Sequence, residues 1–174
     1  LPENCPWEAG PEDHIQVDLG DPANTADAIE EIKRRLPDGQ LHALVNNAAI
    51  MERKPALEIT PDDWSRVMET NLRGPFFMAQ HAAQWMLTTG GGVIVNIADL
   101  SALHPWPSYL THTISKSGVV AMTQTLALAL APSIRAFPNQ LPSLLSEEPA
   151  LLRGVDRNGT RPVYNRLTWN FTTG

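Results

Sequence analysis

Residues 93–132, VIVNIADLSALHPWPSYLTHTISKSGVVAMTQTLALALAP, decide how the chain is read. A short β-branched run, Val93 to Ala98, has the character of a buried strand. It gives way to a Pro-rich loop and then to a long helical stretch from Tyr109 to Ala131. Tyr109, His112 and Lys116 recur at i, i+3 and i+7, so they fall along one helical face. Asp99 sits where strand becomes loop, the usual place for reactive groups in an open α/β sheet. A carboxylate, an imidazole and an ammonium gathered there can handle protons near neutral pH.

Working outward, the same alternation of strand and helix recurs. His14 to Leu19 (HIQVDL) alternates like a short strand, and Asp21-Pro22 opens a helix from about Ala23 to Leu36. Leu41 to Val45 is a second strand, followed by the small-residue turn Asn46-Asn-Ala-Ala. Thr60-Pro-Asp-Asp is a helix start, with Thr60 as N-cap, Pro61 at the first position and acids in the first turn. That helix leads to Asn71 and then to another, Pro75 to Leu87, which ends before Gly90-Gly-Gly. The glycines precede a strand, whereas a phosphate-cradling loop follows one, so they are read as a turn. Strands alternating with helices give an α/β fold with a parallel sheet.

Bulk properties narrow the function. The 174 residues, 43% hydrophobic, suit one compact domain, and a net charge of −6 argues against nucleic-acid or anionic-membrane partners. Cys5 is alone, the histidines lack metal-ligand spacing, and no basic start with an apolar run marks a signal peptide. The longest apolar stretch, 118–131, is too short to span a bilayer. A soluble, intracellular, acidic α/β protein, read as cytoplasmic and without a metal site, is the expectation.

In order, VDLGDP (17–22), LVNNAAI (44–50), VMETNLRGPF (67–76), GGVIVNIAD (91–99) and the SKSG helix (115–118) resemble successive segments of the short-chain dehydrogenase/reductase superfamily. The resemblance covers about His14 to Arg135. It implies a partial Rossmann-type, doubly wound parallel sheet that lacks the first βαβ unit, and a cofactor of NADP or NAD. Asp18 and Leu19 would lie beside the adenine. Asn46, Ala48 and Ala49 correspond to the family's Asn-Asn-Ala-Gly turn. Asn71 matches the helix Asn that holds a proton-relay water, and Lys116 the lysine that contacts the nicotinamide ribose. The resemblance thus marks Asn71, Asp99, His112 and Lys116 as catalytic.

Two substitutions stand at its centre. The family's Tyr, four residues before the Lys, is here His112, and its Ser is Asp99. Asp at that position resembles the pteridine reductase branch, which implies a pterin-like substrate bound by Asp99 and Tyr109, with a carbonyl compound as the other class. His112 and Tyr109, one turn apart, are the alternative proton donors.

One domain with two flanking segments is expected: an irregular lead over residues 1–13, the partial Rossmann-type domain over 14–135, and a divergent, irregular tail over 136–174. Residues 1–13 hold no counterpart of the family's Gly-rich turn, and AFPNQLP (136–142) stands where a VNxIxPG-type strand is expected. A frameshift, alternative splice or truncation is the expected cause of both, and impaired or absent dinucleotide binding the expected consequence. The alternative is a non-catalytic remnant acting through homo-oligomer contacts of helices 75–87 and 117–131, whose family counterparts form a four-helix dimer interface.

Overall fold

The computed structural model describes residues 14–36 and 38–138. They form an α/β layer. Helix α1 (Pro22–Arg35) is followed by strand β1 (Ala43–Asn46), helices α2 (Pro61–Met68) and α3 (Gly74–Thr88), strand β2 (Gly92–Asn96), helix α4 (Leu110–Leu130) and strand β3 (Ile134–Pro138). The strands lie in the order β1-β2-β3, all parallel, with Asn46 opposite Asn96 and Gly92 opposite Ile134. This is the partial Rossmann-type sheet expected from the sequence. Both crossovers step the same way along the sheet, and right-handed connections therefore place α2–α3 and α4 on one face.

Local chemistry explains the helix starts. Asp21 caps α1, its carboxylate accepting from the Ala23 N–H at 3.0 Å. Thr60 caps α2 in a reciprocal box: its hydroxyl accepts from the Asp63 N–H at 3.2 Å, and the Asp63 carboxylate accepts from the Thr60 N–H at 2.9 Å. Between α2 and α3 the chain passes through a π-helical turn, Glu69–Arg73, with Asn71 at its middle. Such single π-helical turns within α-helical runs are frequent at functional sites.

The core lies between the sheet and helices α1 and α3. Ile29, Met78, Met86, Ile94 and Ile134 are fully buried, and Val17, Leu19, Leu44 and Trp85 close around them. At about 25 cal/mol per Å² of apolar surface removed from water, each large aliphatic side chain here contributes on the order of 2 kcal/mol. Among the described residues, no helix is long and apolar enough to cross a membrane.

Two expectations need correction. His14 to Leu19 forms no strand; Val17 and Leu19 are buried, but residues 14–18 have no strand pairing. A strand exists through its neighbour's hydrogen bonds, and among the described residues the only sheet partner of β1 is β2. Conversely, the ordered fold does not stop at Arg135. Strand β3 continues through Ala136, Phe137 and Pro138, paired with Ile94, Val95 and Asn96. Ile134 is fully buried and Ala136 packs on the core, so burial at alternate positions holds the strand despite its atypical sequence. The expected irregular lead and the rest of the expected tail lie outside the described residues.

The Gly90-Gly91-Gly92 turn shows why glycine stands there. Gly91 has φ +97, and a Cβ on it would lie 2.1 Å from the Ser133 carbonyl oxygen. Gly90 has φ +103 but open space around it. Gly91→Ala should therefore cost about 3 kcal/mol or more of stability, and Gly90→Ala about 1 kcal/mol from backbone conformation alone, measured by urea unfolding.

Candidate active site

The site lies at the carboxyl ends of β1 and β2, where open parallel sheets bind ligands. The two strands end on facing asparagines. Asn46 Nδ2 donates to Asn96 Oδ1 at 2.8 Å and to the Pro75 carbonyl at 3.1 Å. Asn96 Nδ2 donates to Thr123 Oγ1 at 2.9 Å, and that hydroxyl donates to the Val119 carbonyl at 2.6 Å. All three side chains are buried, so this chain of satisfied polar groups fixes α3 and α4 against the strand ends.

Beyond Asn96 the chain supplies Ile97 and Asp99. Lys116, on α4, is buried and donates from Nζ to the Ile97 carbonyl at 2.7 Å. His112 lies one turn earlier on the same helix, 4% exposed. Its Nε2 stands 3.8 Å from Asp99 Oδ1, and Nε2 is buried with no hydrogen-bond partner among the described residues. Asp99 is half-buried and accepts the Ser101 N–H at 2.8 Å. Asp99, His112 and Lys116 thus come together as the spacing requires.

Asn71 completes the group from the π-helical turn. Its Oδ1 accepts the Ile50 N–H at 2.8 Å, and its Nδ2 donates to the Ile50 carbonyl at 2.8 Å and to Ser115 Oγ at 3.0 Å. The Ile50 carbonyl also receives His112 Nδ1 at 3.2 Å. The loop carrying Ile50 is tied down further on. Lys54 pairs with Asp63, Arg66 forks onto Glu52 at 2.9 and 2.6 Å, and the Lys54 N–H donates to the Ser108 carbonyl at 2.9 Å.

The remaining expected residues are placed less centrally. Tyr109 caps α4 one turn before His112, its ring edge-on to Trp106. Ala48 and Ala49 follow β1, the second exposed. Asp18 accepts the Gly20 N–H at 2.8 Å, while the Leu19 side chain is buried in the core. Leu19 packs so closely on α3 that a Cβ on Gly74 would lie 2.6 Å from its carbonyl oxygen. Sequence reasoning missed Asn96, Ser115 and Thr123. The one available signal was Ser115, three residues after His112 on the same helical face.

Environment sets the charges. Burial pushes the Lys116 ammonium below the ordinary lysine value of 10.5, with the Asp99 carboxylate working against that shift. For Asp99, burial is the largest influence and opposes ionisation. The neighbouring Ser101 and the charges of His112 and Lys116 outweigh it, so the carboxyl titrates below its usual 3.8.

Residues 3–138 match the short chain dehydrogenase family. The protein FixR of Bradyrhizobium diazoefficiens is 40% identical over 138 residues, 75% of this chain and 49% of that protein. An NAD-dependent glycerol dehydrogenase of Listeria innocua is 35% identical over 118 residues, 68% of this chain and 46% of that protein. Among solved structures, an oxidoreductase of the short chain dehydrogenase/reductase family from Brucella ovis, in complex with a partially ordered NAD, aligns with TM-score 0.71 and 36% identity. It covers 79% of this chain and 66% of its own. A gluconate 5-dehydrogenase from Burkholderia cenocepacia, in complex with NADP and tartrate, aligns with TM-score 0.66 and 33% identity over 70% of this chain and 47% of its own. The chain spans about half the length of the curated relatives it matches.

Lys116 gives a stability test. Because its folded-state value is lowered, the unfolded chain binds more protons between that value and 10.5, and stability should rise with pH through that interval. Lys116→Met should remove the rise, as measured by urea unfolding at a series of alkaline pH values. An equal rise in the variant would contradict the assignment.

Proposed function

We propose that this chain, which belongs to the short-chain dehydrogenase family, acts in an NAD(P)-dependent oxidoreductase that reduces a small C=N or C=O compound. The observation that carries this reading is the buried His112 Nε2, unpartnered and turned toward Asp99, one turn from Lys116.

The same features suit a nicotinamide dinucleotide. His112 Nε2 makes no hydrogen bond among the described residues, its neighbour being the Asp99 carboxylate at 3.8 Å, and the small side chains of Ala48 and Ala49 leave the end of β1 uncrowded. Lys116, Asn46, Ala48 and Ala49 would hold the nicotinamide end. Asp18 would serve the adenine end, with Leu19 contributing only backbone because its side chain is in the core. When bound, the nicotinamide supplies the hydride for the substrate carbon. Both NAD and NADP accompany the similar structures.

His112 gives the proton. In the charged imidazolium, Nε2–H passes its proton to the substrate nitrogen or oxygen, the bonding pair stays on the ring, and the ring becomes neutral. Asp99 stabilises the charged ring before transfer. Its carboxylate, an acceptor only, also suits a ligand with adjacent N–H donors, such as the amino and ring N–H groups of a pterin. Tyr109, at the mouth of the helix, would contact that ligand. The glycerol and gluconate enzymes among the relatives support the carbonyl class as the second substrate choice.

NADPH and NADH titrations followed by fluorescence should give saturable binding with at least one; none with either would sink the cofactor claim. With a dihydropterin or a ketose as oxidant, His112→Ala should lose about 10²- to 10⁴-fold in turnover while keeping dinucleotide affinity. Unchanged turnover in His112→Ala, alongside loss in Lys116→Ala, would exclude His112 as donor.

A second reading, a non-catalytic subunit acting through self-association, is favoured by one observation. A largely apolar groove of roughly 690 Å³ runs between the π-helical turn and α4, lined by Trp64, Met68, Leu72, Phe76, Met122 and Leu126. Met122→Glu should shift the chain toward monomer in sedimentation equilibrium if the groove is a self-association surface. An unchanged mass would remove that reading.

A further inference from the structure

We infer that Asn71 is a positioning residue that, through the Ile50 carbonyl, fixes the tautomer of His112, so that Nδ1 keeps its hydrogen and Nε2 is the atom that exchanges its proton. This rests on the reading of His112 as proton donor, and it goes further by assigning the proton to one atom and naming what holds it there.

A carbonyl oxygen only accepts, so a ring nitrogen 3.2 Å from the Ile50 oxygen is held as N–H. The Ile50 peptide is itself not free to turn away. Asn71 takes its N–H on Oδ1 and gives Nδ2 to its carbonyl, both at 2.8 Å, inside a site where Asn71 is 1% exposed. The amide cannot be reversed without setting donor against donor at Ile50 N–H and acceptor against acceptor at its carbonyl. A third contact fixes the other side. Asn71 Nδ2 also donates to Ser115 Oγ at 3.0 Å, and that hydroxyl donates to the His112 carbonyl at 2.7 Å. One buried amide therefore holds both the acceptor of the imidazole and the backbone that carries it.

The consequence is at the opposite nitrogen. With Nδ1–H committed, the neutral ring presents a lone pair at Nε2, and the charged ring presents Nε2–H, in each case toward Asp99 Oδ1 at 3.8 Å. The charged group facing the ring is Asp99, from the loop after β2, and Lys116 stands one turn further along the same helix, its own charge set against Asp99. The loop after β1 and the π-helical turn contribute the neutral Ile50 carbonyl and Asn71. Proton delivery from Nε2 leaves the Nδ1–H tautomer already in place, so no proton moves within the ring during a turnover.

Long-range proton–nitrogen NMR of ¹⁵N-histidine-labelled full chain reads the tautomer directly, with the His112 signals assigned by their loss in His112→Ala. At a pH where His112 is neutral, the Nδ1–H form should dominate. A dominant Nε2–H form, which free imidazole side chains prefer, or an averaged ring would overturn the inference. Asn71→Asp keeps the acceptor for Ile50 N–H but removes the donor to its carbonyl, and should shift the ring toward Nε2–H. An unmoved tautomer there would remove Asn71 from the role. Ser115→Ala should leave Nδ1–H dominant, and loss of it would assign the hold to the Ser115 hydroxyl instead. If Asn71→Asp does not fold, Asn71→Ala, which removes both contacts with Ile50, is read in the same way: a shift toward Nε2–H supports the role and an unmoved tautomer removes it. None of these readings needs dinucleotide or turnover, so failure to bind NADPH would defeat the proposed function while leaving the tautomer result standing.

Discussion

The grip of the Asn71 amide on the Ile50 peptide is the contact on which the site depends. It joins the loop after β1 to the π-helical turn between α2 and α3, and through Ser115 and His112 it reaches α4. A regular α-helix through residues 69–73 would use every backbone group within the helix. The π-helical turn breaks that regularity at Asn71, whose side chain makes three hydrogen bonds to two residues elsewhere in the chain, Ile50 and Ser115. Buried, satisfied amides of this kind contribute less to net stability than to uniqueness, because a half-satisfied alternative arrangement is costly.

Around that contact the polar groups are arranged in tiers. The Asn46–Asn96–Thr123 chain locks the strand ends to α3 and α4. Above it, Lys116 is held by the Ile97 carbonyl and Asp99 by the Ser101 N–H. Outermost, the ion pairs of Lys54 and Arg66 hold the loop that carries Ile50. The outer pairs are solvent-screened and contribute little energy singly. Their part is to limit the loop to one position. Among the described residues His112 Nε2 is one of three buried side-chain atoms without a hydrogen bond, with Arg73 Nε and Ser101 Oγ, and it is the one that stands 3.8 Å from Asp99 Oδ1.

Much of this was legible in the sequence wherever the cause was local. Thr60-Pro-Asp-Asp announced its capping box because every group involved lies within four residues. Asp99, His112 and Lys116 were legible because one strand end and one helix face determine their meeting. What the sequence hid were features set by distant neighbours. HIQVDL alternates correctly yet forms no strand, since among the described residues none pairs with it. AFP, beside prolines, carries no strand signal, yet the register of Ile134 against Gly92 draws it into the sheet. Asn96 looked like an ordinary strand residue until Asn46, fifty positions away, was found opposite it. Ser115 was hidden inside a common helix phrase, because its partner is supplied by the π-helical turn.

In the proposed function His112 does, by imidazole chemistry, what a tyrosine does at that position in the family. The pH dependence of kcat/KM in His112→Tyr, beside the wild type, tests it most directly. Tyrosine keeps its proton to far higher pH than imidazole, with ordinary values of about 10 and 6.5. Turnover should survive in the variant, and its decline on the alkaline side should move to higher pH. A decline at the same pH in both proteins would show that residue 112 is not the group that gives the proton.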